Sequence, residues 1–331
     1  MTSDQGEKCI AVVVPVHNEA ESLPQLMAEL RTVFDSMPYR WEVTFVDDGS
    51  KDGTWDAIQE CVRNESSTAL IRALRLSRNF GKEAAICAGL DSVECDAVIV
   101  MDGDLQHPPA LIPKMVRMWE STGVDVVDAV KADRGREAAR SRILAKGFYL
   151  VFNTLSGLRL DAMSDYKLVD RRVVSAWRML PERNRFFRGL IEWLGFRHER
   201  IEFLVGDRAE GRSRWTLRQL IRLATTAVTS FSTLPIHFAT VIGFVLAAAA
   251  MILGVQTLYV KLRGEAVEGF TTVILVLLII GSALLISVGV IGEYVARIYH
   301  EVKQRPIYVI RERVVSDAKG SGGQEKRAKH V

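Results

Sequence analysis

Two uninterrupted apolar stretches, residues 235–260 and 270–292, restrict this chain more than any other feature of its sequence. The first has His237 as its only residue titrating near neutrality, and the second has no charged residue at all. Each is longer than the ~18 residues that mark a candidate span of a hydrocarbon core roughly 30 Å thick, so a transmembrane hairpin is expected rather than two buried core helices. Basic residues flank the pair: Arg212, Arg214, Arg218 and Arg222 before it, Arg297, Lys303, Arg305, Arg311 and Arg313 after it. The short connecting loop, 261–269, is balanced, with Lys261 and Arg263 set against Glu265 and Glu268. The excess of positive charge on the flanks therefore places both of them in the cytoplasm.

The remaining sequence divides around this hairpin. With 331 residues, the chain has room for one domain of roughly 200 residues and an appendage. The reading is an α/β domain over 1–210, an amphipathic interfacial helix over 211–234, the two spans within 235–296, and a basic tail over 297–331 that ends in disorder. Around 214–229, Trp215, Leu217, Leu220, Ile221 and Leu223 alternate with arginines, as suits a helix lying on anionic headgroups. Residues 141–155 read either as a second such helix or as a core helix. A net charge of +3 gives no sign of nucleic-acid binding. Cys9, Cys61, Cys87 and Cys95 lack metal-ligand spacing and read as reduced thiols. Residues 1–8 are polar and Pro15 breaks the apolar run that follows, so no signal peptide is expected and the amino-terminal part stays in the cytoplasm.

Within the α/β region, 9–16, 42–46, 69–76, 97–101 and 124–130 read as strands, and 21–34, 54–63, 82–91 and 109–121 as helices. Alternation of this kind predicts a mostly parallel sheet covered on both faces, with ligands beyond the carboxyl ends of the strands. Three polar clusters fall there: VVVPVHNEAESL (12–23), FVDDGSKDGT (45–54) and VIVMDGDLQHPP (98–109). Asp47 and Asp48 can accept hydrogen bonds from a base or ribose, with Gly49 and Gly53 allowing a tight turn, although DDGS alone also suits a helix cap. Asp102 and Asp104, separated by Gly103 at a strand end, suit a hard divalent cation, Mg2+ or Mn2+, completed by substrate phosphates and water.

In this order and spacing the three clusters resemble family 2 glycosyltransferases of the GT-A fold, a similarity running from about Cys9 to Trp215. With LRLSRNFGKEAAICAGLD (74–91) and the two spans added, the whole chain looks like the bacterial polyprenyl-phosphate glycosyltransferases of the GtrB type. Its catalytic half is also similar to dolichol-phosphate mannose synthase. The resemblance implies a nucleoside pocket at Pro15, His17, Glu19, Val46 and Asp48, with His17 standing where the family often has tyrosine. It implies a metal and diphosphate site at Asp102, Gly103, Asp104 and Gln106, where alanine is commoner in place of Gly103 and the change is expected to be tolerated. Lys131 matches a basic position near the sugar-diphosphate and acceptor phosphate, and Arg208 and Arg214 of DRAEGRSRW match a late basic motif that closes over the donor; the alternative for these basic residues is membrane-surface charge. Arg134, Arg142 and Lys146 are candidates for the acceptor phosphate. MSDYKLVDRRVV (163–174) resembles the family's GDFRL stretch, making Asp165 either the catalytic base or a group that orients the acceptor or a sugar hydroxyl.

The activity so implied is inverting transfer of one hexose, glucose from UDP-glucose, to undecaprenyl phosphate at the cytoplasmic face of the bacterial inner membrane. GDP-mannose or a modified UDP-pentose is the alternative donor, and a non-catalytic membrane scaffold the alternative of another class. A processive synthase is disfavoured, because the chain lacks a QxxRW-type motif and further spans. The partners are a nucleotide sugar, a polyprenyl phosphate and the bilayer; no residues specify a homo-oligomer of given size.

Overall fold

The computed structural model describes residues 8–64, 69–131, 165–183, 185–203, 234–263 and 269–316. The stretch read as either an interfacial or a core helix, 141–155, the interfacial helix read over 211–234 except its last residue, and the tail beyond 316 lie outside the described residues. One compact unit is built on an eight-stranded sheet of order β7-β5-β6-β4-β1-β2-β3-β8. Its strands are β1 (Cys9–Val16), β2 (Arg40–Asp47), β3 (Ala69–Leu76), β4 (Ala97–Val100), β5 (Val126–Lys131), β6 (Lys167–Asp170), β7 (His198–Phe203) and β8 (Ile310–Val315). Neighbours β4, β1, β2 and β3 run parallel, as do β5 and β7. Strand β6 runs antiparallel between β4 and β5, and β8 antiparallel on the outer edge of β3. The helices are α1 (Leu23–Asp35), α2 (Thr54–Asn64), α3 (Lys82–Ser92), α4 (Ile112–Thr122), α5 (Arg171–Met179) and α6 (Phe187–Trp193), with a 3-10 turn at Pro109–Leu111.

The expected mostly parallel sheet is present, and its pattern follows from burial on two faces. Every residue of β1 is buried, as a central strand covered on both sides requires. Helix α1 turns one stripe inward, with Leu23, Leu26, Leu30 and Phe34 joining Trp41, Phe45 and Trp119 in the main core. Helix α3 is buried from Ala84 through Leu90 and lies directly against β1. A methyl group on Gly89 would come within 2.2 Å of Val13 Cγ1, so only glycine permits this approach.

Three features depart from the sequence reading. Cys9 and Cys95 form a disulfide instead of remaining reduced; pairing of Ile10 with Ala97 sets the starts of β1 and β4 side by side, with the two Cα atoms 4.8 Å apart. Cys61 and Cys87 are free. Residues 310–315, read as part of a basic tail, form β8, because the open edge of β3 supplies the hydrogen-bonding partner that a short charged strand lacks by itself. The region expected to be helical over 109–121 begins as a 3-10 turn and becomes α4 only at Ile112.

The second unit contains α7 (Leu234–Leu262) and α8 (Phe270–Val302), which pack against each other. Ala239–Val260 and Val276–Ala296 are long and apolar enough to cross a membrane, and neither is buried within the protein. Leu277, Leu285 and Ile286 are among the side chains left exposed. Helix α8 continues beyond Gly292 to Val302, carrying Glu293 and Glu301 past the end of the apolar run.

One buried charge cluster ties the added strand β6 into the sheet. Lys167 is 1% exposed and pairs with Asp128, 2% exposed, directly across from it on β5. His198 donates from Nδ1 to the other oxygen of Asp128 at 2.8 Å. Burial pushes Asp128 up, but the His198 hydrogen bond and the Lys167 charge outweigh it and hold the carboxyl below its usual range. Removing one partner strands the other charge, so Lys167→Met is expected to cost about 3–5 kcal/mol. The check is the melting temperature of the detergent-solubilised protein beside Lys114→Met, an exposed control on α4; equal shifts would remove the pair from the account.

Candidate active site

Strand β1 is the point where the sheet reverses: the chain steps outward through β2 and β3 on one side, then returns to place β4 on the other. Loops leaving β1 and β4 diverge there and open a crevice at the carboxyl edge. A cleft of about 350 Å³ lies in it, lined among others by Pro15, His17, Asp48, Lys82, Asp102 and Asp104.

The loops after β1 and β2 are knitted by hydrogen bonds from backbone N–H groups to side-chain oxygens. Asn18 N–H donates to Ser50 Oγ and Glu19 N–H to Thr54 Oγ1, each at 2.9 Å, while Lys51 N–H donates to Asn18 Oδ1 at 3.0 Å. The Asp48 carboxylate accepts from the N–H groups of Phe80 at 2.7 Å and Gly81 at 2.9 Å. Burial nevertheless leaves Asp48 raised, the two backbone bonds offsetting it only in part. Gly49 has φ +66°, and a Cβ there would lie 2.5 Å from the carbonyl carbon of Arg78. This explains why DDGS needs its glycine: the loop after β3 passes against it. His17 Nδ1 donates to the Asp48 carbonyl oxygen at 3.0 Å, an assignment that follows from Nε2 accepting from the amide of Asn79 at 3.1 Å.

The acidic turn after β4 rests on an aromatic block. Asp102 N–H donates to His107 Nδ1 at 2.9 Å, and His107 stacks on Tyr166 with ring centroids 4.8 Å apart. Tyr166 in turn donates its hydroxyl to the Pro108 carbonyl at 2.9 Å. Because His107 Nδ1 accepts, its 3.8 Å approach to Asp102 Oδ2 is not a charged pair. Leu105 adopts φ +61°, and Asp104 Oδ1 accepts the N–H of Gln106 at 3.0 Å. A Cβ at Gly103 would meet Val16 Cγ1 at 2.7 Å. Alanine at this position would require Val16 to shift, so glycine here goes with the valine across from it.

Two cations that the sequence reading passed over organise the site. Lys82, the first residue of α3, lies 2.5 Å from Asp102 Oδ1 and 2.6 Å from Asp165 Oδ2. Arg188 on α6 donates from Nε and Nη2 to the two oxygens of Asp165. Asp165 is 3% exposed. Burial pushes its carboxyl up, but the Arg188 fork and the Lys82 charge prevail and hold it well below the usual carboxylate range. Lys82 and Arg188 retain 39% and 38% side-chain exposure. Lys82 lay within a segment singled out by the sequence, next to Gly81. Arg188 carried no local signal and reaches Asp165 only through the packing of α6.

Pro15, His17, Glu19, Asp48, Asp102, Gly103 and Asp104 thus converge on one cleft, and Gln106 shares the acidic turn. Val46 and Asp47 do not. Val46 is buried in a cluster with Leu74, Leu76, Ala85 and Ala88, and Asp47 is fully buried, accepting from Ser50 N–H and facing Arg75; strand alternation sends consecutive side chains to opposite faces, and neither of these residues reaches the cleft. Lys131 is the last residue of β5, opposite Phe203, with its side chain outside the described set. Arg134, Arg142, Lys146, Arg208 and Arg214 lie outside the described residues.

Asp102 and Asp104 fit a divalent cation on their surroundings as well as their type. Glu19 is raised by burial and then by the negative charges of Asp104 and Asp102, so the cleft has an excess of acid that added positive charge would relieve.

A mostly parallel sheet with an acidic turn at its switch point and a basic pair beside it has the layout of a GT-A glycosyltransferase domain. The chain belongs to glycosyl transferase family 2, whose model matches residues 11–177. It is 37% identical over 305 residues to the SfII prophage-derived bactoprenol glucosyl transferase of Shigella flexneri, covering 92% of this chain and 97% of that protein. It is 36% identical over 304 residues to the prophage bactoprenol glucosyl transferase homolog of Escherichia coli K12, covering 91% and 98%. A solved structure of glucosyl-3-phosphoglycerate synthase from Mycobacterium tuberculosis, in complex with Mn2+, UDP and phosphoglyceric acid, has a TM-score of 0.49 and 17% identity, covering 67% of this chain and 76% of that one.

Behind the basic pair, Glu83 accepts the N–H of Phe187 at 2.8 Å and so joins α3 to the start of α6. Burial, followed by the charge of Asp165, pushes Glu83 up to about 7 from an ordinary 4.5. The folded state therefore binds more protons between these values, and the stability due to Glu83 is full below about pH 4.5 and is lost as pH rises through about 7. The melting temperature is expected to fall more between pH 5 and 8 in the native protein than in Glu83→Gln; parallel curves would contradict the assignment.

Proposed function

We propose that this protein transfers glucose from UDP-glucose to a polyprenyl phosphate, with inversion at the anomeric carbon, at the cytoplasmic face of a bacterial membrane. The observation that carries the reading is Lys82 in the cleft wall, which bridges Asp102 of the acidic turn and the buried Asp165. The similarity to bactoprenol glucosyl transferases over nearly the whole chain supports the sugar and the lipid.

In this reading the nucleoside lies among Pro15, His17, Glu19 and Asp48, and the diphosphate against the turn that holds Asp102 and Asp104. Asp102 and Asp104, with Gln106 beside them, would hold a divalent cation, which would supply charge compensation for a departing diphosphate. Asp165 acts as the anchor for Lys82 and Arg188 and not as a base. A carboxylate held far below its ordinary proton affinity by two cations accepts a proton poorly, and the acceptor has little need of one: a phosphomonoester has its second pKa near ~6 and is ionised at neutral pH. The exposed faces of Lys82 and Arg188 are suited to orient phosphate oxygens for direct attack, which inverts the anomeric centre. Arg134, Arg142, Lys146, Lys131, Arg208 and Arg214 remain proposed phosphate and donor contacts.

Chain connectivity supports the membrane orientation. Strands β7 and β8 belong to one sheet, and both apolar helices lie between them in sequence. A pair of spans returns the chain to the side it left, so the sheet and both flanks share one face, which the flanking arginines assign to the cytoplasm.

Purified full-length protein, assayed with undecaprenyl phosphate and labelled UDP-glucose, GDP-mannose and UDP-pentoses, is expected to yield lipid-linked sugar from UDP-glucose. Failure with every UDP-sugar would sink the donor assignment. Asp104→Ala is expected to lose transfer almost completely while keeping its melting profile, and chelation should do the same; undiminished activity in either case removes the metal. In spheroplasts, Ala266→Cys between the spans should react with an impermeant maleimide, whereas Ser316→Cys should react only after permeabilisation. The reverse pattern would invert the topology.

A further inference from the structure

We propose that the segment following the second span, from Tyr308 to β8, is a positioning element of the donor cleft, acting through Glu312 and the Val309 carbonyl on the two loops that line it. The proposal rests on the reading of that cleft as a nucleotide-sugar site. The segment lies in the same compact unit as the sheet, although the apolar pair separates it from the rest of that unit in sequence.

Two separate connections reach the cleft. The first goes to the loop after β3. Ser77 N–H donates to Val309 O at 2.8 Å, fixing the start of the loop that continues through Asn79 to Gly81 and Lys82. Asn79 holds His17, and the N–H groups of Phe80 and Gly81 hold Asp48. Tyr308, Ile310 and Phe80 pack on one apolar cluster with Ala85, itself part of the cleft wall, and Tyr308 donates its hydroxyl to Asp91 on α3 at 3.0 Å.

The second connection goes to the DDGS turn. Glu312 Oε2 accepts from Trp55 Nε1 at 3.0 Å, and Oε1 lies 3.5 Å from Arg75 Nη1. The Arg75 guanidinium sits over the Trp55 ring, 5.5 Å from its centroid, with Nε 3.3 Å from Asp47 Oδ2. That oxygen is buried and accepts no hydrogen bond among the described residues, so its charge is met by Arg75 through an ion pair. Asp47 Oδ1 accepts Ser50 N–H, and Ser50 Oγ receives Asn18 N–H, which carries the link to the loop after β1. Glu312 therefore sets the position of the cation on which the buried Asp47 depends, one residue before Asp48. This also gives Asp47 a role that its sequence position concealed: it transmits placement to the cleft without touching it.

The test uses the full-length protein in detergent with lipid acceptor. Glu312→Ala is expected to raise the KM for UDP-glucose and the Kd for UDP by about five- to tenfold, with kcat and the acceptor KM changed by less than about twofold. Glu312→Gln keeps an acceptor for Trp55 but loses the charge facing Arg75, and should fall between. Tyr308→Phe, a milder change that keeps the ring packed, should raise the donor KM by about two- to threefold. A lower melting temperature or kcat with unchanged donor KM and UDP affinity in all three variants means that β8 only staples the fold, and overturns the proposal. If the native protein neither binds UDP nor uses UDP-glucose, the reading of the cleft fails instead, and the two outcomes are told apart by that control.

Discussion

Carboxylates crowded at one edge of a sheet repel one another, and the arrangement around this cleft is largely a response to that repulsion. Asp48 is met by backbone N–H groups, Asp102 by Lys82, and Asp165 by Lys82 together with the Arg188 fork. Glu19 is raised, first by burial and then by its acidic neighbours. Residual negative potential of this kind favours a divalent ion or the cationic side chains that flank a diphosphate, because a low-dielectric cleft strengthens each interaction. The cations are fixed in place before any ligand arrives, which limits the reorganisation needed during transfer.

That charge arrangement is held by contacts that leave no room for substitution. Gly49 lets the loop after β3 lie against the DDGS turn, Gly103 faces Val16 across the crevice, and Gly89 allows α3, the helix that begins with Lys82, to approach β1. Tyr166 and His107 stack beneath the acidic turn, so the residue next to Asp165 in sequence supports the carboxylates opposite it. The same short segment thus contributes a charged anchor, an aromatic support and, at Lys167, the buried partner of Asp128. Strand β6 runs antiparallel between β4 and β5, and these contacts hold it there.

Strand β8 extends this logic across the whole chain. Its alternating residues place Glu312 toward Trp55 and Arg75, and its return to the sheet after the apolar helices closes the edge that β3 would otherwise expose.

Local sequence was sufficient for everything that depends on periodicity or composition: strands β1 to β5, helices α1 to α4, the two long apolar helices, and the convergence of 15–19, Asp48 and 102–104 at the carboxyl edge. These follow from short-range patterns, because burial on two faces forces continuous apolar strands and uncharged length suits a hydrocarbon layer. What tertiary structure alone decided were contacts between residues distant in sequence: Arg188 on Asp165, Glu312 on Arg75, Cys95 on Cys9, and the withdrawal of Val46 and Asp47 from the cleft. No local pattern encodes such pairings, since a single charge or thiol has the same sequence signature whatever it meets. Its role is set by which strand the fold places beside it.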